Sequence, residues 1–313
     1  MNHTTSIPGT RSVWPMIALF TVPAFLIYGR FLLLPIIQSI GVSFYSGPGM
    51  NPSEFVGFDN YRNLFTRAPY NVRFWNALRN NLIFFAIVMV IQNAFGFFMA
   101  VLLTRPGKGV HTMRILSFLP TTLSVIVVGF LFNMILNPTW GIFNELLRII
   151  GLEQFIHPWL GDPKTALPIV SIAVSWQFLG ESILFYTAGI DSISPEILEA
   201  GKIDGVSFFQ EIWHLILPSL VPIIGIVTIM IFVGDFTQFD IVYAMTTTRG
   251  NPAYGTDIFG SLFYRAAFQS PSRGGWGLGM GATVSTIMSL MVFLGVSFWL
   301  FIFNRQKKRF FQD

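Results

Sequence analysis

Cysteine is absent from the 313 residues and charge is scarce: 11% are Asp, Glu, Lys or Arg, against about 25% in a soluble domain. The first absence excludes disulfides, thiol nucleophiles and thiolate metal sites. The second leaves too little polar surface to solvate a globular domain, because 53% of the residues are hydrophobic and the mean hydropathy is +0.62. Histidine is sparse, and no His, Asp and Glu group has metal-ligand spacing. A phosphate-binding loop is missing as well. PGKGVHT at 106–112 has a Lys between glycines without GxxxxGK[ST], and GDPKT at 161–165 lacks the second glycine before its Lys. No nucleophile and base pair has a recognisable context, so no catalytic residue is expected. The net charge of +4 is not arranged as a nucleic-acid face with interleaved aromatics.

What the chain has is apolar length. Runs near 14–42, 79–103, 112–136, 167–189, 217–244 and 281–304 reach the roughly 20 residues that cross a hydrocarbon core. They are continuous rather than alternating, which favours helices over a barrel. The expectation is an all-α polytopic membrane protein with about six spans, residues 1–313 forming a single transmembrane domain. The first run is too long for a signal-peptide core and no small-x-small site follows it, so it reads as a retained span. An even number of spans puts both termini on one side. Basic residues on the two sides tie: Arg11, Arg105, Lys108, Arg114, Lys202, Arg305, Lys307, Lys308 and Arg309 against Arg62, Arg67, Arg73, Arg79, Arg148, Lys164, Arg249, Arg265 and Arg273. The clusters nearest span ends, NRQKKRF and TRPGKGVHTMR, favour cytoplasmic termini. Outer loops then cover 44–78, 137–166 and 246–280, with a lateral helix expected at 144–150 stopped by Gly151.

One segment opposes its side. DSISPEILEAGKIDGVSFFQEIWH carries Asp191, Glu196, Glu199, Asp204 and Glu211 against Lys202 alone. It predicts two short helices: Ser194 caps and Pro195 opens the first, Gly205 stops it, and Ser207 with Gln210 starts the second. Its apolar residues exceed what the pair can bury. One reading is an amphipathic unit on lipid headgroups, although interfacial helices usually carry Lys and Arg. The other is a docking element for a basic or apolar partner.

Glu199, Ala200, Asp204, Gly205, Ile212, Leu217 and Pro218 match a known pattern, with Gly201 and Val206 as small departures. The segment resembles the EAA loop of permease subunits of binding-protein-dependent ABC importers. The resemblance covers nearly the whole chain and points to the first permease of maltose-, lactose- and glycerol-phosphate-type systems. VGFDNYRNLF at 56–65, Asn80-Asn81, Arg114, NPTWGIFNELL at 137–147, RGNP at 249–252, Tyr264, Ala267-Phe268 and WGLGMGA at 276–282 carry it. It implies the type I importer permease fold, with 192–216 a cytoplasmic coupling loop. Pro195, Glu199, Ala200, Asp204 and Gly205 would meet an ATPase there, Glu199 pairing with a basic residue. The implied partners are a second homologous permease, a cytoplasmic ATPase dimer and an extracytoplasmic solute-binding protein. This chain would bind no cofactor, ATP and Mg being used by the ATPase, and would lie in a bacterial or archaeal cytoplasmic membrane.

Polar groups at membrane depth are costly and mark pathways or partners. SWQFLGES supplies Trp176, Gln177, Phe178 and Glu181; GDFTQFD supplies Asp235, Gln238 and Asp240; LPTTLS supplies Thr121, Thr122 and Ser124. Asp235 and Gln238 share a face at i, i+3 if the helix is continuous. The resemblance places Thr121, Val125, Trp176 to Phe178, Asp235 and Gln238 on a sugar path, carboxylates and amides taking hydroxyls and the indole covering a pyranose face. Otherwise these groups bond across helices or, at the threonines, to their own backbone. An ion-coupled transporter using Glu181, Asp235 and Asp240 is the alternative, yet no pair of interrupted segments recurs in the two halves. Arg30 inside the first span reads as snorkelling or paired. His157 and His214 read as surface residues.

Overall fold

The computed structural model describes residues 14–47, 49–269 and 276–310, with side chains over 16–47, 49–269 and 276–303. Arg11 and Arg273, and the side chains of Arg305, Lys307, Lys308 and Arg309, lie outside the described residues. Among the described residues, five helices are long and apolar enough to cross a membrane: Met16–Val42, Tyr70–Leu103, Ala166–Asp191, Phe208–Thr237 and Leu278–Phe303. A further apolar pair of helices is bent, Val110–Thr122 and Val125–Ile135 meeting at 99°. Counted as one span, this pair is the third of six.

The bend has a local cause. Pro120 sits in a 3-10 turn, Leu119–Thr122, and Leu123 and Ser124 are extended. Thr121 and Thr122 donate their hydroxyls to the carbonyls of Phe118 and Leu119, at 2.6 and 2.7 Å. The Leu123 carbonyl freed by the break accepts the Gln177 side-chain amide from the fourth span at 3.1 Å. Irregular backbone at membrane depth persists only when its polar groups are met in this way.

The fifth span differs from the expected 217–244. Its helix starts at Phe208, passes through a π turn, Glu211–Ile216, and ends at Thr237. Gln238 is extended and its side-chain oxygen accepts the Phe239 backbone N–H at 3.0 Å. A separate helix, Asp240–Thr246, follows. Hydropathy averaged over a window passes smoothly across such a break. Asp240 is exposed in the first turn of that helix, where a carboxylate meets the positive end of the peptide dipoles.

The fourth span lies at the centre: 56% of its apolar window is buried, against 0% for the first. Val170, Val174, Ile183 and Tyr186 pack there with Phe84, Val88, Val128, Val227 and Ile231. A second cluster, with Leu64, Phe74, Phe236, Phe259 and Val284, joins the ends of the second, fifth and sixth spans to the short helices Asp59–Thr66 and Phe259–Tyr264. Asn60 of VGFDNYRNLF fixes the turn after the first span, donating to the Ser43 and Tyr45 carbonyls at 2.8 and 2.9 Å. The lateral helix is Ile142–Ile149, with Gly151 at φ +75° after it. Arg30 is exposed in a π turn, Gly29–Leu33, and hydrogen-bonds to no described residue.

Candidate functional site

Two regions hold the candidate residues. The first is the acidic segment. Pro195–Ile203 is helical, with Pro195 in its first turn. Gly205 follows at φ +72°. Its N–H donates to Lys202 O at 3.2 Å and the Val206 N–H to Gly201 O at 3.0 Å, the two bonds of a Schellman stop, which a glycine permits. Ser207 N–H donates to Gln210 Oε1 at 2.9 Å, starting the next helix. Gly201, where the resemblance has alanine, is buried: a Cβ there would stand 2.6 Å from Leu215 Cδ1.

Arg105 anchors the segment. Its guanidinium bonds Glu211 at 2.6 Å and lies 4.3 Å from the Phe208 ring centre. Asp191, Glu196, Glu199 and Asp204 form no ion pair among the described residues. Pro195, Glu199, Ala200, Asp204 and Gly205 are all exposed, beside Ile197 and an 86%-exposed Ile203. An acidic helix edged with bare isoleucine has the form of a docking element.

The second region is a cleft of about 170 Å³ between the second, fourth and fifth spans. Phe178, Glu181, Asp235 and Gln238 line it together with Gln92 and Ser182. The helix ends before Gln238, so Asp235 and Gln238 line the cleft from either side of a helix break rather than along one helix face. Asn81 holds that break: it donates to the Asp235 carbonyl at 3.1 Å and accepts the Phe259 N–H at 3.0 Å. Asp235 itself is 4% exposed, and its Oδ2 accepts no hydrogen bond from a described residue.

The other predicted path residues stand elsewhere. Gln177 is fully buried against the Leu123 bend, Thr121 is bonded to its own backbone, and Val125 packs on the core. Trp176 is half-exposed with its ring 5.5 Å from Phe132. Gln92 also lines the cleft and was not singled out from the sequence. It occupies a π turn, Val90–Phe95, a departure from regular helix common at functional sites. The signal was the amide pair in IQNAF, in the middle of an apolar run.

A polar cap stands apart from the cleft. Asp257, fully buried, takes both arms of Arg265, at 3.1 and 2.5 Å, and the Ser261 hydroxyl at 2.7 Å. Asn76 and Asn80 donate to the Tyr254 carbonyl, and the Arg73 guanidinium lies 3.1 Å from the Tyr254 ring centre. His157 Nε2 is 2.9 Å from Asp162 Oδ2. The Lys164 backbone N–H, seconded by that His157 contact, holds the Asp162 carboxyl below its ordinary pKa. His214 bonds the Gln210 carbonyl. The described residues contain no cluster of three potential metal ligands.

Residues 92–309 match the model of the family described as binding-protein-dependent transport system inner membrane component. The lactose transport system permease protein of Rhizobium radiobacter is 33% identical over 93% of this chain and 94% of its own length. A probable ABC transporter permease protein of Pyrococcus horikoshii is 31% identical over 92% and 95%. The fold also matches a chain of a bacterial ABC transporter involved in import of the acidic polysaccharide alginate, with TM-score 0.78, 22% identity and 94% and 96% coverage. The ion-coupled alternative finds no support in these likenesses. The chain belongs to the family of binding-protein-dependent transport system inner membrane components, the ABC transporter permeases.

Proposed function

We propose that this chain forms half of the translocation pathway of an ATP-driven importer for an oligosaccharide or related polyol, delivered by an extracytoplasmic solute-binding protein. The observation that carries the reading is the exposed acidic helix Pro195–Ile203, followed by the segment that the Arg105–Glu211 pair ties down and charged against the habit of its side. Such a helix needs a basic or apolar socket on another protein, and a cytoplasmic ATPase dimer using ATP and Mg supplies one. Glu199 pairs there with a basic residue. Closure of the ATPase, felt through Pro195–Gly205, moves the attached fourth and fifth spans and turns the cleft outward; hydrolysis returns it inward. A second permease completes the cavity. Both termini lie in the cytoplasm of a bacterial or archaeal cell. The sugar class rests on relatives named for lactose, diacetylchitobiose and arabinooligosaccharide transport.

Mild-detergent affinity purification from native cells, read by mass spectrometry, tests this. A second permease and a P-loop ATPase are expected in the eluate. A chain that elutes alone, folded, and transports in liposomes on an ion gradient overturns the reading.

A further inference from the structure

We infer that the first half of the third span carries a groove for one anionic phospholipid of the adjacent leaflet, the cytoplasmic one in the orientation proposed above. The groove, of about 490 Å³, runs along the helix Val110–Phe118 into the 3-10 turn after it and is lined by His111, Arg114, Ile115, Phe118, Leu119 and Thr122. That spacing keeps them on one helix face. Polar and apolar groups are ordered along the axis: His111 and Arg114 stand next to the basic turn, and Ile115, Phe118 and Leu119, all exposed, follow. No Asp or Glu lines the groove. From Arg114 to Thr122 it runs about 12 Å at the rise of a helix, close to the roughly 15 Å of one leaflet's hydrocarbon.

Arg114 makes this more than an unpartnered apolar face. Its Nε and Nη2 both donate to the carbonyl of Leu103, at 2.9 and 2.7 Å, the last residue of the helix Gly96–Leu103 in the second span. The guanidinium is thereby fixed at the basic end of the groove by a neutral acceptor, and no described carboxylate pairs with it. Arg105, by contrast, has its charge met by Glu211. A held cation without a counter-charge, with N–H groups to spare, suits a phosphate, which takes the guanidinium fork. The helix opens after Gly109, at φ +85°, with no side-chain cap, so its first amides add positive potential at the same end. Lys108 and Arg105, exposed in the adjoining turn, draw anionic headgroups to the surface there. A neighbouring protein helix would need a carboxylate opposite Arg114; a phospholipid supplies phosphate first and chains below, the order the groove presents. The groove is separate from the cleft. The third span meets the fourth at Gly180, where a Cβ would stand 2.4 Å from the Ser117 carbonyl oxygen, whereas Val174, Phe178, Glu181 and Phe185, which line the cleft, form a stripe on another side of that helix.

The test titrates the assembled importer, stripped of lipid in mild detergent, with phosphatidylglycerol and with phosphatidylcholine of the same chains, and counts bound lipid by native mass spectrometry. One phosphatidylglycerol per copy of this chain is expected to bind at least about fivefold tighter than phosphatidylcholine, since the charge-assisted bond needs the anionic headgroup. Arg114→Gln, which keeps a donor for the Leu103 carbonyl, should remove most of that preference, and Arg114→Lys should retain it. Ile115→Trp, which fills the groove below an intact cation, should weaken both lipids. His111→Glu, at an exposed position, should also lower the preference and stands in if Arg114→Gln fails to assemble. Equal binding of the two lipids, or a preference unchanged in both Arg114→Gln and His111→Glu, overturns the inference. So does a photoactivatable crosslinker placed at Leu119 that joins another subunit instead of lipid, because the groove then belongs to a protein seam. The same spectra show whether a second permease and an ATPase are present, so failure of the importer reading is seen as missing subunits rather than as missing lipid.

Discussion

Asp257 and Arg265 show what a charge costs at the edge of a membrane protein. The carboxylate is fully buried, and the guanidinium spans it while also bonding the Thr248 carbonyl at 2.9 Å. Removing one partner of such a pair leaves the other buried and unmet, at about 3–5 kcal/mol. Asp257→Ala is therefore expected to lower the thermal stability of the detergent-solubilised protein sharply. The double change Asp257→Leu with Arg265→Met should cost less than Asp257→Ala alone. A double variant as unstable as the sum of its singles would show that the pair is not an isolated unit. At this scale the sequence was legible in part. Polar residues inside the spans stood out by their cost, and Glu181 and Asp235, singled out on that ground, both line the cleft. Which way each one faces was not written there: Gln177 and Asp235 have the same kind of apolar neighbours, yet one satisfies a bent helix and the other lines a cleft.

Among the elements, the helix Pro195–Ile203 and its stop were readable from local rules, because proline in a first turn and glycine after a last turn act within a few residues. Gly205→Val tests the stop. A β-branched residue at φ +72° is strained, and relief requires the turn between this helix and the next to change. Insertion and co-purification with the second permease should survive, while sugar uptake and the stimulation of ATPase activity by binding protein should fall at least tenfold. Uptake at the wild-type rate would remove the turn from the coupling path. The bends at Leu123–Ser124 and Gln238–Phe239 were not legible. Proline is tolerated in membrane helices wherever neighbours satisfy the freed carbonyls, so Pro120 alone did not announce a break. The neighbours that do so, Gln177 and Asn81, are distant in sequence.

For the whole molecule, the contacts sort the connections into two faces. The Arg105–Glu211 pair joins the turn after the second span to the start of the fifth, so that turn and the acidic segment share one face. Asp59–Thr66 and Phe259–Tyr264 contribute to one cluster on the other. The expected orientation rests on the charges nearest the span ends. Arg105, Lys108 and Arg114 crowd a short turn close to span ends, the positions that weigh most in membrane orientation. The missing cysteine then becomes an asset, since any introduced thiol is the only one in the chain. Lys108→Cys and Glu153→Cys, both at exposed positions on opposite faces, are to be treated with a membrane-impermeant maleimide on intact spheroplasts. Glu153→Cys is expected to label at once, and Lys108→Cys only after the membrane is opened. The reverse pattern would put the acidic segment outside the cell, where no ATP-driven partner could reach it, and the proposed transmission of force through Pro195–Gly205 would fail with it.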